Sequence, residues 1–105
     1  MSADYDAHVR ENFIDAGQHI ISIPAQRKKR LAILRWLVED FQLGRRYAEA
    51  EVNQIISRRH DDFATLRRYL VDEELMQRQH GIYWRTGSVA NVGHDPSSWP
   101  TDLGV

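Results

Sequence analysis

The chain has 105 residues, 42% hydrophobic and 28% charged, which is the scale of one soluble globular domain with one modest core. It contains no cysteine, which excludes disulfides, thiolate metal centres and cysteine nucleophiles and fits a cytoplasmic location. Net charge is only −1, but it is unevenly divided: residues 27–85 hold thirteen of the fourteen Lys and Arg against nine acids, a net +4, and the two ends together carry −5.

Residues 1–18 read as a polar, acidic segment with isolated apolar positions at Phe13 and Ile14. The opening MSADYDAHVRENF lacks the basic-then-apolar pattern of a signal peptide. No stretch approaches 18 consecutive apolar residues, so no membrane partner is expected. His19–Ile23 is a short β-prone run closed by Pro24, an edge strand or an extended arm. Residues 26–41 read as the first helix, with Leu31, Leu34, Val38 and Phe41 at three- and four-residue spacing and Ile33 and Leu37 widening the stripe. Gly44 is placed as its C-terminal stop. Tyr47 leads into a second helix over about 48–58, with the stripe Val52, Ile55 and Ile56. Its acids Glu49 and Glu51 come first and Arg58 and Arg59 last, as the helix dipole prefers. A third helix starts at His60-Asp61-Asp62, whose carboxylates can cap free N–H groups, and continues through Phe63, Leu66 and Leu70. The pattern then turns to strand: 75–79, a turn at His80-Gly81, and Ile82-Tyr83-Trp84-Arg85 make a hairpin. Residues 87–105 are rich in Gly, Ser, Pro, Asp and Asn and read as a flexible tail. Its Trp99 is a docking candidate, and its acids are Asp95 and Asp102.

The expected fold is therefore mainly α within the α+β class: a winged-helix-like, three-helix domain with a C-terminal β-hairpin. It occupies 19–86, its helices and hairpin lie within 27–85, and Phe41, Val52, Ile55, Phe63, Leu66 and Leu70 share its core. In a winged helix the third helix enters the major groove and the hairpin touches the backbone. At 100° per residue, Asp61, Thr65, Arg68 and Asp72 face outward on that helix and Arg67 sits near the core boundary. Thr65 and Arg68 suit phosphate or base contacts, whereas Asp61 and Asp72 repel phosphate.

Four further groups bear on function. Arg27-Lys28-Lys29-Arg30 opens the first helix against its dipole, and with Arg45, Arg46, Arg58 and Arg59 would make a phosphate-binding surface. The alternative is an ordinary solvated helix end. Arg67, half-buried, needs an acid such as Glu51 across the helix pair. Alternation puts Tyr83 and Trp84 on opposite faces of the hairpin, one in the core and one out, available for stacking on bases. His60 beside its two aspartates reads as a capping cluster rather than a metal site, and no other His spacing suggests a metal or cofactor. With no phosphate loop, GxSxG or HExxH, no enzyme is expected.

The runs RLAILRWLVEDF, RRYAEAEVNQII and RRHDDFATLRRYLVDEELMQRQHGIYWR resemble the bacterial domain of unknown function 2087 family over roughly 27–85. The motifs carrying the resemblance are YxExEVN from Tyr47, HDDxxTLRRYLVD from His60, and the closing Tyr83-Trp84-Arg85. Such domains occur alone or joined to helix-turn-helix regulators, so the resemblance implies a link to transcription without implying any catalytic residue. Two partners follow as expectations: DNA or RNA held through its phosphates, or a protein partner or second copy of the chain.

Overall fold

The computed structural model describes residues 2–87, with side chains from Asp4 onward. Four helices and a small antiparallel sheet make an α+β fold: α1 (Ser2–Phe13), α2 (Arg27–Val38), β1 (Arg46–Ala48), α3 (Glu49–Ser57), α4 (Phe63–Asp72), β2 (Met76–Gln79) and β3 (Ile82–Arg85). The three expected helices and the hairpin are present as α2, α3, α4 and β2–β3. Two elements are additional, α1 and β1.

Helix α1 lies within the N-terminal segment read as polar and acidic, where no apolar stripe marks a helix. It presents little apolar surface, but Val9 is buried, and Asp6 is clamped by both guanidinium branches of Arg35 at 2.8 and 2.9 Å. Lys28 lies 4.5 Å from the Tyr5 ring centroid. Lys28, Ala32 and Arg35 share one flank of α2, which is why α1 docks there. Helix α2 is consequently covered on more than one side, and Leu31, Ala32, Ile33 and Leu34 are buried in succession. A run buried all round marks a central helix rather than an amphipathic surface one.

The run His19–Ile23 forms neither strand nor arm. Ile20 is buried and makes an isolated bridge with Ile14, and its N–H donates to the Arg59 carbonyl at 2.7 Å, while Ile21 is exposed. Helix α2 ends at Val38, so Gly44, with φ of +81°, does not stop it. Gly44 turns the loop into β1. Phe41 still reaches the core, where it meets Tyr47 edge-on at 5.1 Å. The Tyr47 hydroxyl accepts the Gln42 N–H at 2.8 Å.

The sheet order is β1-β3-β2. Tyr47 pairs with Tyr83, and Arg78 pairs with Tyr83 from the other side. Gln79 and Ile82 close a two-residue turn in which His80 and Gly81 have φ of +53° and +79°, the geometry that matches strand twist. The core gathers Val52, Ile56, Leu66 and Leu70 with Leu75, Met76 and Tyr83. Ile55 and Phe63, expected inside it, only pack against its rim. Apart from Gly87, the tail read at 87–105, with Asp95, Trp99 and Asp102, lies outside the described residues. None of the described helices is long and apolar enough to cross a membrane.

Candidate nucleic-acid interface

Both ends of α4 are fixed by local chemistry. At its start the Asp62 carboxylate accepts the Thr65 N–H at 3.4 Å, and the Asp62 N–H donates to His60 Nδ1 at 2.9 Å. The cluster His60-Asp61-Asp62 is thus a capping device, and among the described residues no three His, Asp or Glu side chains come together to hold a metal. At its end Leu75 N–H donates to the Leu70 carbonyl at 2.9 Å and Glu74 N–H to that of Val71 at 3.0 Å, with Glu74 in the left-handed region at φ +62°. This paired closure turns the chain sharply into β2. The hairpin therefore rises beside α4 rather than away from it.

Between α4 and the hairpin lies an open cleft of about 380 Å³. Arg67, Arg68 and Thr65 line it from α4, and Arg78 and Tyr83 from the sheet. Asp72 is the one acid on its wall. Arg68 is exposed, and no side chain among the described residues pairs with it. Arg67 is half-buried and tied to α3: its guanidinium donates to Asn53 Oδ1 and lies 3.9 Å from Glu49. The partner of Arg67 is therefore Glu49 with Asn53, not Glu51, which instead accepts the Ala48 N–H at 3.0 Å and pairs with Arg45 at 3.3 Å. The Tyr83 hydroxyl donates to Glu49 Oε1 at 3.1 Å. The neighbouring Tyr83 hydroxyl raises the pKa of the Arg78 guanidinium above its ordinary value.

The other sequence candidates are placed elsewhere. Arg27 is bound by Glu73 through two hydrogen bonds of 2.6 and 2.9 Å. Arg30 donates to the Ala25 and Pro24 carbonyls at 3.0 and 3.4 Å and covers the Tyr69 ring at 4.5 Å. Lys28 lies over Tyr5, which leaves Lys29 as the member of the quartet without such a contact. The cluster opposing the α2 dipole is thus a docking device for α4 and α1. It also meets the flank of α4 that carries Tyr69 and Glu73, away from the Arg67 flank. Arg45 lies over Tyr47 and beside Glu51. Arg46 lies 5.6 Å from the ring of Trp84, which is the outward member of the Tyr83–Trp84 pair, as alternation required. Arg59 chelates Asp40 at 2.8 and 3.0 Å, donates to the Gln18 carbonyl at 3.1 Å and sits over Trp36. Arg58 lies in a second cleft, of about 310 Å³, where Asp40 and Glu51 balance Arg45 and Arg58.

Of the ten residues read as phosphate ligands, only Thr65 and Arg68 reach the α4–hairpin cleft. Arg27, Lys28, Lys29, Arg30, Arg45, Arg46, Arg58 and Arg59 do not. Arg67 and Arg78 do, and sequence reasoning had not assigned either to a ligand. Arg78 was recoverable: counting back from a two-residue turn at His80-Gly81 pairs residue 78 with 83, so Arg78 shares a face with Tyr83.

No curated protein and no solved structure matches the chain. One family does, over residues 19–85, with the description "Uncharacterized protein conserved in bacteria", domain of unknown function 2087. That span is well over half of the chain and contains the whole α4–hairpin unit, so the protein belongs to this bacterial family.

Proposed function

We propose that the protein is a non-enzymatic, transcription-associated domain that binds DNA or RNA by its phosphate backbone, with the α4–hairpin cleft as the contact surface. The observation that carries the reading is the convergence of Arg67, Arg68 and Arg78 with Thr65 on one open cleft. From α2 onward the elements run helix, strand, helix, helix, hairpin, the order of a winged helix, in which these same two elements meet nucleic acid. Guanidinium groups on a groove wall suit phosphate because their forked donors match its oxygens. The Asp72 and Asp61 carboxylates limit the surface to modest affinity and disfavour close base reading along the whole helix.

The test is a titration of labelled duplex and single strand at two salt concentrations with wild type, Arg68→Ala, Arg78→Ala and Lys28→Ala/Lys29→Ala. Each cleft variant is expected to bind about 3–10-fold more weakly on every sequence and to lower the salt slope by about one. The lysine variant is expected to bind nearly as wild type does. No binding by wild type at low salt, or equal losses in all variants, rejects the reading.

A second reading, docking of a protein partner or a second copy, draws on the mixed charge of the outward α4 face and the exposed Leu43 and Ile21. Light scattering that gives a dimer, together with absent nucleic-acid binding, selects it.

A further inference from the structure

Two side chains on the wall of the α4–hairpin cleft, Arg67 and Tyr83, already hold an anion between them. Glu49 is the first residue of α3, and its N–H donates to the Gly81 carbonyl at 3.2 Å, which pins it beside the hairpin turn. Its carboxylate reaches two of the cleft's lining side chains from there. One oxygen accepts the Tyr83 hydroxyl at 3.1 Å, and the other lies 3.9 Å from Arg67. Arg78 is the cross-strand neighbour of Tyr83. Glu49 therefore occupies Arg67, one of the three guanidinium groups that a phosphate would use, and the Tyr83 hydroxyl.

The hold on Glu49 is loose. A separation of 3.9 Å is the outer limit of an ion pair, and the stronger bond of Arg67 goes to Asn53. The Glu49 side chain is 48% exposed, so it has room to swing into solvent. The Arg67 side chain is 20% exposed and stays anchored by Asn53 when the carboxylate leaves. A phosphodiester presents the same chemistry as a carboxylate, one negative charge shared by two acceptor oxygens that a guanidinium fork can engage.

We propose that Glu49 is the built-in counter-anion of this cleft and that a nucleic-acid phosphate binds by displacing it from Arg67 and Tyr83. The proposal rests on the phosphate-binding reading above. Glu49 then sets a threshold: weak polyanion contacts do not open the cleft, and a phosphate that engages Arg68 and Arg78 together does.

The experiment measures anisotropy of a labelled DNA duplex with full-length wild type, Glu49→Gln, Tyr83→Phe, Glu51→Gln and Arg68→Ala at low and moderate salt, with folding checked by circular dichroism. Glu49→Gln keeps length and hydrogen-bonding capacity and is expected to bind about 3–10-fold more tightly at low salt, with the gap closing as salt rises. Tyr83→Phe leaves net charge unchanged and keeps the buried ring, but frees the Glu49 carboxylate. It is expected to tighten binding about 2-fold or more. Glu51→Gln, two residues along and paired with Arg45, is expected to change little. Should Glu49→Gln and Glu51→Gln tighten binding equally while Tyr83→Phe changes nothing, only general charge is at work and the proposal is overturned. If Glu49→Gln binds no more tightly while Arg68→Ala weakens binding, the proposal falls and the phosphate reading stands. Absence of binding by every variant at low salt removes both.

Discussion

Glu74 is a glutamate in a glycine's conformation. Its φ of +62° closes α4, and a side chain in that region is strained by about 1 kcal/mol. Glu74→Gly is therefore expected to stabilise the fold by about 0.5–1 kcal/mol, less the added entropy of the unfolded chain, and urea midpoints will show it. A destabilised variant would mean that glycine's added unfolded-state entropy, or a contact of the Glu74 side chain, outweighs the relieved strain. One residue earlier, Glu73 has the opposite character, because its charge is wanted. The hydrogen bonds from Arg27 hold its carboxyl below the ordinary value of 4.5, against a smaller opposing effect of burial. The folded state thus binds fewer protons than the unfolded chain in that range. The stabilisation is complete above pH 4.5 and is lost as pH falls through the lower, folded value. Glu73→Gln is expected to flatten the acid limb of the stability–pH curve and leave its neutral part almost parallel to wild type. Because Arg27 is exposed, added salt should shrink the difference.

At the scale of elements, the sequence was readable where a stripe was long. The helices α2, α3 and α4 each carry three or more apolar positions at helical spacing, and the turn chemistry of His80-Gly81 announces the hairpin. It was unreadable where tertiary contact substitutes for pattern. Helix α1 buries Val9 but is otherwise held by the Asp6–Arg35 clamp and the Lys28–Tyr5 contact, and neither registers as periodic hydrophobicity. Strand β1 spans three residues, shorter than the four to eight over which alternation is counted, and exists because Tyr47 and Ala48 find β3. The site followed the same division. Arg68 and Thr65 could be placed by helix geometry alone. Arg27, Arg30, Arg45 and Arg59 looked free because their acceptors, Glu73, the 24–25 carbonyls, Glu51 and Asp40, include groups far away in sequence. A run of basic residues records charge and not whether that charge is already satisfied.

For the whole molecule, the contrast between a basic middle and acidic ends suggests that the ends lie across a positive surface and compete with ligand. The contacts within the N-terminal part point another way. Asp6 is committed to Arg35, and Asp15 accepts the His19 N–H at 2.9 Å, which holds its carboxyl below the usual range. Nothing from α1 lines the α4–hairpin cleft. The segment before residue 19 lies outside the family match, yet it covers one flank of α2 and passes the Gln18 carbonyl to Arg59. It is therefore expected to act on stability and not on binding. Deleting residues 1–18 uncovers Val9's site, worth about 1.5–3 kcal/mol for a buried valine. It also leaves the half-buried Arg35 without Asp6, a further cost of about 1 kcal/mol. The shortened chain is expected to unfold at a clearly lower urea concentration. Below that transition its duplex affinity and salt slope should stay within about 2-fold of wild type, since every cleft residue is retained. A gain in affinity at low salt, without loss of stability, would instead show that the N-terminal acids shield the cleft and that the docking of α1 on α2 contributes little.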